Sequence, residues 1–116
     1  MLTHPLPPAR RLRRRGEFQR VFDAGRRAHG RYLTVIASPA PGPDSRLGIV
    51  ASRKVGGAVV RNRAKRLIRE AFRTTNRTAV AMDLVIIAKS GAAKVAAVDV
   101  ANDFESTLRR MGLSKL

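Results

Sequence analysis

Between Gly56-Gly57 and Thr74 the apolar residues Val60, Ala64, Leu67, Ile68, Ala71 and Phe72 fall at offsets 0, 4, 7, 8, 11 and 12, the stripe of a helix buried along one side. At about 100° of rotation per residue, Asn62, Lys65, Arg66, Arg69 and Arg73 gather on the opposite arc, with Arg61 and Arg63 on its shoulders. The segment predicts a rod with an apolar underside and a basic outer face. A shorter stripe, Phe18, Val21 and Phe22, predicts a helix over Glu17 to Ala24 that ends at Gly25 and carries Glu17 in its first turn, where the helix dipole favours negative charge. Ala101, Phe104, Leu108 and Met111 share one side of a third helix, over Val98 to Met111.

Strand patterns fill the gaps. Arg31 to Ser38 (RYLTVIAS) is rich in β-branched residues, and Arg46 to Ser52 (RLGIVAS) follows a Pro39 to Ser45 loop containing three prolines. The two are candidates for a hairpin around that loop, whose length leaves the register open. After a polar loop over Thr74 to Ala81, the Leu84-Val85-Ile86-Ile87 run marks a largely buried strand over Asp83 to Ala88. Gly91 to Ala97 fits a loop or a helix equally well. The order of helix, two strands, basic helix, strand and helix predicts an α/β (α+β) two-layer sandwich, a central sheet with helices on one face. Residues 1–15 read as a flexible basic arm, since Pro5, Pro7 and Pro8 break a helix and Arg10, Arg11, Arg13, Arg14 and Arg15 repel one another. Residues 16–116 then form a single domain.

Charge narrows the class. The chain of 116 residues carries 24 Lys plus Arg against 8 Asp plus Glu, a formal net charge of +16. Such an excess of one sign calls for a polyanion, and nucleic acid leads because each neutralised phosphate releases condensed counterion. With no cysteine there is neither a disulfide framework nor a thiolate metal site, and a cytoplasmic location is the expectation. The basic N-terminal stretch lacks an apolar segment behind it, so no secretory signal is read, and no apolar run is long enough to span a bilayer.

Chemistry by the chain itself finds no agents. The acids Glu17, Asp23, Asp44, Glu70, Asp83, Asp99, Asp103 and Glu105 show no two-metal spacing, and Asp99, Asp103 and Glu105 fit the solvated face of the last helix. His4 and His29 fall in the arm and in a loop without an acid or base partner nearby, and no serine has a nucleophile-elbow context. No catalytic residue and no metal ligand is assigned. A self-sufficient nuclease is thereby disfavoured, while a ribosomal protein or RNA chaperone shares the charge and stays open as an alternative.

The run Ser52-Arg53-Lys54-Val55-Gly56-Gly57-Ala58-Val59-Val60-Arg61-Asn62-Arg63-Ala64-Lys65-Arg66-Leu67-Ile68-Arg69-Glu70 resembles the signature of the bacterial ribonuclease P protein family, an Arg-Asn-Arg core followed by Lys-Arg-Leu-Ile-Arg. The likeness extends from the Phe18 to Phe22 segment through both strands to Leu84-Val85-Ile86-Ile87-Ala88. It implies a left-handed β-α-β crossover made by the basic helix, where general rules favour the right-handed form. It also implies a division of labour: an RNA subunit cleaves precursor tRNA with Mg2+, while the protein binds that RNA and the 5′ leader of the substrate. By resemblance, Arg61, Asn62, Arg63, Lys65, Arg66 and Arg69 face the ribonuclease P RNA subunit. Phe18, Phe22, Thr34, Ile36, Lys54 and Arg69 are matched to the leader site, with Thr34 and Ile36 on its floor. Many family members carry an aromatic residue where this chain has Ile36. With aromatics at 4% of the chain, leader binding is expected to lean on phosphate contacts and apolar packing.

Overall fold

The computed structural model describes residues 10–75 and 80–114. Its elements are α1 (Arg15–Ala24), β1 (Arg26–His29), β2 (Leu33–Pro39), β3 (Arg46–Val50), α2 (Ala58–Thr75), β4 (Met82–Ala88) and α3 (Ala97–Arg110). The three expected helices and three expected strands are present within one to two residues of their predicted ends. The added element is β1, which lacks a β-branched residue and is held as a strand by pairing with β2 across the Arg31-Tyr32 turn. His29, expected in a loop, closes that strand.

The sheet has the order β1-β2-β4-β3. Strand β2 pairs antiparallel with β1 and β4, and β3 runs parallel to β4. The candidate hairpin between the second and third strands is therefore not formed, because β4 lies between them. The 39–45 loop instead reaches β4, with the Met82 N–H donating to Ser45 Oγ at 3.0 Å and the Ala40 N–H to the Ala81 carbonyl at 3.0 Å. A parallel β3–β4 pair needs a crossover, and α2 makes it.

Side chains alternate across the sheet, so its two faces have separate cores. On one face Leu33, Val35, Leu47, Leu84 and Ile86 pack with Ala64, Leu67, Ile68 and Phe72 of α2 and Val100, Phe104 and Leu108 of α3. On the other, Ile36 and Val85 pack with Leu12 and with Val21, Phe18 and Phe22 of α1. The expectation of helices on one face thus holds for α2 and α3, while α1 sits on the opposite side. Its docking follows from Gly25 and Gly48. A Cβ on Gly25 would lie 2.4 Å from the Val21 carbonyl and 2.8 Å from Ile36 Cγ2, so absence of a side chain sets how closely α1 ends against β2.

Charge fixes the same helix. The fully buried Asp83 carboxylate accepts both Nε and Nη2 of Arg46, at 2.8 and 2.7 Å, and Nη2 of Arg20 from α1 at 2.8 Å. Arg46 also donates to Glu17 at 3.0 Å, and the second Glu17 oxygen accepts the Arg13 and Arg14 N–H groups, each at 2.9 Å. Those two N–H donors first, and the Arg46 guanidinium after them, hold the Glu17 carboxyl below its ordinary range, while Asp83 chiefly raises Arg46.

Part of the expected arm belongs to the domain. Leu12 is buried, its N–H donates to the Leu47 carbonyl at 2.9 Å, and Arg11 bridges Leu47 in parallel, so residues 10–12 lie along the open edge of β3. Helix α1 begins at Arg15 itself. An apolar residue among the arginines supplies the anchor that charge repulsion alone would not. Residues 1–9 of the arm lie outside the described residues.

Candidate nucleic-acid interface

Helix α2 places its basic residues in three directions. Asn62, Arg66 and Arg69 are exposed, and Arg66, Arg69 and Lys65 have no acidic partner among the described residues. Lys65 and Arg69 lean toward the open edge of β3. With Arg11, Leu12, Phe18, Leu47, Gly48 and Ile49 they line a groove of about 370 Å³ between α2 and α1. Arg63 turns the other way and donates from Nε to the Ala93 carbonyl at 2.9 Å. Arg61 is half-buried, and its Nε has no hydrogen-bond partner among the described residues. Of the six positions assigned to RNA-subunit contact, Asn62, Lys65, Arg66 and Arg69 thus present polar ends without a partner among the described residues, whereas Arg63 also ties the helix to the loop before α3.

On the sheet face beneath α1, the register lines up residues in rows that cross all four strands. One row is Arg27, Ile36, Val85 and Gly48, and it is covered by α1. The next is His29, Thr34, Ile87 and Val50, in which Ile87 and Val50 are only half-buried. At strand spacing of about 4.8 Å this row spans about 14 Å. Phe22 flanks it as a half-buried member of the same cluster. Lys54 stands exposed in the turn after β3, closed by the Val55 N–H to Ser52 carbonyl bond of 3.0 Å. This is a shallow apolar strip with a cation at one end and an imidazole at the other.

The expected leader residues divide between the two surfaces. Phe22, Thr34 and Lys54 belong to the strip. Phe18 and Arg69 belong to the groove. Ile36 is a correction: it is 0% exposed beneath α1, where it packs on Val21 and Val85, so it supports the helix and offers no surface to a ligand. Thr34 is also buried, but its hydroxyl meets His29 Nδ1 at 3.1 Å and so sets the direction of that ring. His29 was missed for want of β1. The signal available was its place two residues beyond Arg27 in a segment bounded by Gly25 and Gly30.

Among the described residues no three His, Asp or Glu side chains gather into a metal-holding set. No helix among them is long and apolar enough to cross a membrane. Asp44 aside, each acidic residue is engaged within the chain. Glu17 and Asp83 form the α1 cluster, Asp99 accepts the Ala96 N–H, and Asp103 accepts the Arg31 and Tyr32 N–H groups at 2.8 and 2.7 Å. Asp23, Glu70 and Glu105 pair with Gln19, Arg73 and Arg109. The acids are spent on folding, and the outer cations are left for a partner.

A family model described as ribonuclease P matches residues 6–112. The chain belongs to the ribonuclease P protein family. It is 44% identical over 117 residues to the ribonuclease P protein component of Desulfovibrio desulfuricans, covering 96% of this chain and 89% of that one. Among solved structures, the Staphylococcus aureus RNase P protein superposes with a TM-score of 0.81 at 30% identity, covering 90% of this chain and 97% of that one. The Thermotoga maritima protein gives 0.77 at 32%, covering 86% and 96%. Membership in the ribonuclease P family brings tRNA processing and an RNA partner with it, and it decides against the ribosomal alternative.

Proposed function

We propose that this ribonuclease P protein is the non-catalytic subunit of the ribonucleoprotein, working in the cytoplasm. The outer arc of α2, with Asn62, Arg66 and Arg69 at its centre and Lys65 at its side, binds the ribonuclease P RNA. The strip bounded by Phe22, Thr34 and Lys54 receives the 5′ leader of precursor tRNA, with Arg69 and Phe18 in the adjoining groove extending the contact. Hydrolysis belongs to the RNA and its Mg2+. The protein holds the two RNAs together and neutralises their phosphates where they meet. The observation that carries this reading is the set formed by the exposed Arg66 and Arg69 and the half-buried Lys65 on α2, which no acid among the described residues pairs with. Forked guanidinium groups match phosphate in two-bond geometry, which an ordinary solvated helix face does not require.

The test is cleavage of precursor tRNA by the protein alone, by bacterial ribonuclease P RNA alone at low Mg2+, and by both. The expected result is no cleavage by the protein alone and marked stimulation of the RNA. Cleavage at the mature 5′ end without RNA, or absence of stimulation, overturns the proposal.

A further inference from the structure

His29 stands at the β1 end of the strip and has no part in the contacts assigned above. The Gly30 N–H donates to the Leu33 carbonyl at 2.7 Å and closes the β1–β2 hairpin. Alternation from that bond makes His29 and Thr34 the next pair, one without backbone bonds of its own, the kind in which facing side chains stand closest. The imidazole Nδ1 accordingly meets Thr34 Oγ1 at 3.1 Å. Thr34 is buried and β-branched, so its hydroxyl is a stiff anchor. The residue it holds is exposed, and His29 Nε2 has no hydrogen-bond partner among the described residues.

A hydroxyl both donates and accepts. It donates to Nδ1 when the ring is neutral with its proton on Nε2, and it accepts from the Nδ1–H of the protonated ring. The imidazole therefore keeps one direction in both charge states, and in both of them Nε2–H is a donor directed away from Thr34, on the sheet face that carries Ile87 and Val50.

The charged groups around β1 are engaged elsewhere or stand apart from the ring. Arg27 lies on the same face two residues along and is exposed. Arg26 donates to the Met111 carbonyl, Arg110 of α3 to the His29 carbonyl, and Lys89 Nζ to the Gly30 carbonyl, while Arg31 lies over the Tyr32 ring. Strand β2 brings no charged residue. On the α3 side Asp103 gives its oxygens to the Arg31 and Tyr32 N–H groups, and Asp23, near the end of α1, accepts from Gln19. No carboxylate among the described residues bonds the imidazole.

A local account exists, in which the His29–Thr34 bond merely closes a strand that has no pattern of its own. It explains Nδ1. It leaves unexplained why the other nitrogen of an oriented imidazole is kept open on the row that ends beside Lys54.

We propose that His29 is a further leader-binding residue: Nε2–H donates to a phosphate oxygen of the 5′ leader, and protonation of the ring strengthens that contact as pH falls. The inference rests on the reading of the strip as the leader site. His29 and the Lys54 turn bracket a row of about 14 Å, so they are placed for different phosphates of one strand. A phosphate against the ring favours the imidazolium, which makes leader affinity depend on pH where imidazole titrates, at about pH 5–8. Lys54 and Arg69 hold their charge throughout that range.

The test is the affinity of the assembled complex for precursor tRNA with a long and with a trimmed leader, over about pH 5–8. The proteins are wild type, His29→Asn, His29→Arg and Lys54→Ala. Asparagine can still reach Thr34 but has no group in the place of Nε2; arginine keeps a charge at every pH. The ratio of long-leader to trimmed-leader affinity removes pH effects common to both substrates. In wild type it should rise by about threefold to tenfold on acidification, tenfold being one pK unit of linkage. In His29→Asn it should be low and flat, and in His29→Arg high and flat. At the acid end the wild-type salt slope should exceed that of His29→Asn by about 0.7, the share of one single-strand phosphate. A flat wild-type ratio, or the wild-type profile retained in His29→Asn, overturns the proposal. If Lys54→Ala narrows the ratio while both histidine variants behave as wild type, the strip stands and His29 only closes the hairpin. If none of the three variants alters it, the strip is not the leader site and the proposal falls with it. Should His29→Asn melt early, His29→Arg decides, since a wild-type pH profile in that variant is incompatible with a contact at the ring.

Discussion

The Phe18 ring lies directly over Gly48, where an added Cβ would come within 2.6 Å of ring carbons Cε2 and Cζ. Helix α1 is thus seated on bare backbone of β3. Gly48→Ala is expected to displace the ring and destabilise the fold by about 1–3 kcal/mol, the usual cost of overpacking. In a Phe18→Ala background the same substitution should cost much less, since the two residues are in contact. Thermal melts of the four-member cycle check this, and equal costs in both backgrounds would contradict the seat.

The two sides of α2 should separate stability from binding. Leu67 is buried against the core, so Leu67→Ala is expected to destabilise by about 2–5 kcal/mol. Arg66→Ala/Arg69→Ala should leave the melt within about 0.5 kcal/mol and weaken assembly with ribonuclease P RNA. A large melting loss in the arginine pair would place those side chains in the fold.

For the leader strip, Lys54→Ala should weaken binding of leaders of any sequence and reduce the salt slope by about 0.7, the share of one phosphate on a single strand. Phe22→Ala should leave the slope unchanged and cost about 1–3 kcal/mol if a base rests on the exposed part of its ring. The measurement is affinity of the assembled complex for precursor tRNA with long and trimmed leaders. Should neither substitution narrow the difference between them, the strip is not the leader site.

Glu17 predicts an acid limb of stability. Its folded pKa lies below the ordinary 4.5, because the Arg14 and Arg13 N–H groups and Arg46 favour the carboxylate. A lowered value means that the contribution is complete above the unfolded pKa and disappears as pH falls through the folded one. The stability gap between wild type and Glu17→Gln should therefore be constant near neutrality and shrink as pH falls below the ordinary 4.5 and through the lowered folded value. Denaturant melts at a series of pH values measure it, and a gap that widens on acidification would reverse the assignment.

Helix α2 was legible because its apolar stripe and its charges obey one period over many residues, and β4 because a run of four large apolar residues has few other uses. Strand β1 was not, since Arg26, Arg27, Ala28 and His29 have no strand pattern of their own and owe their state to the register with β2. The same gap hid His29, whose partner Thr34 is adjacent only through that register. The position of β4 between β2 and β3 depends on long-range pairing that no local window contains. Ile36 illustrates a subtler limit. Resemblance placed it on the floor of the leader cleft, but alternation does not tell whether a helix covers that row or stops short of it.

The engagement of nearly every acidic side chain has a consequence for how this protein tolerates change. Carboxylates are the limiting reagent, while cations are in threefold supply. Under the proposed function, removing a surface arginine takes away one of many interchangeable phosphate contacts, and a neighbour can take over part of its task. Asp83 has no such understudy: without it, Arg20 loses its ion-pair partner and Arg46 keeps only Glu17 at the joint between α1 and the sheet. In so basic a chain, the few negative residues are the positions where substitution should be least forgiving.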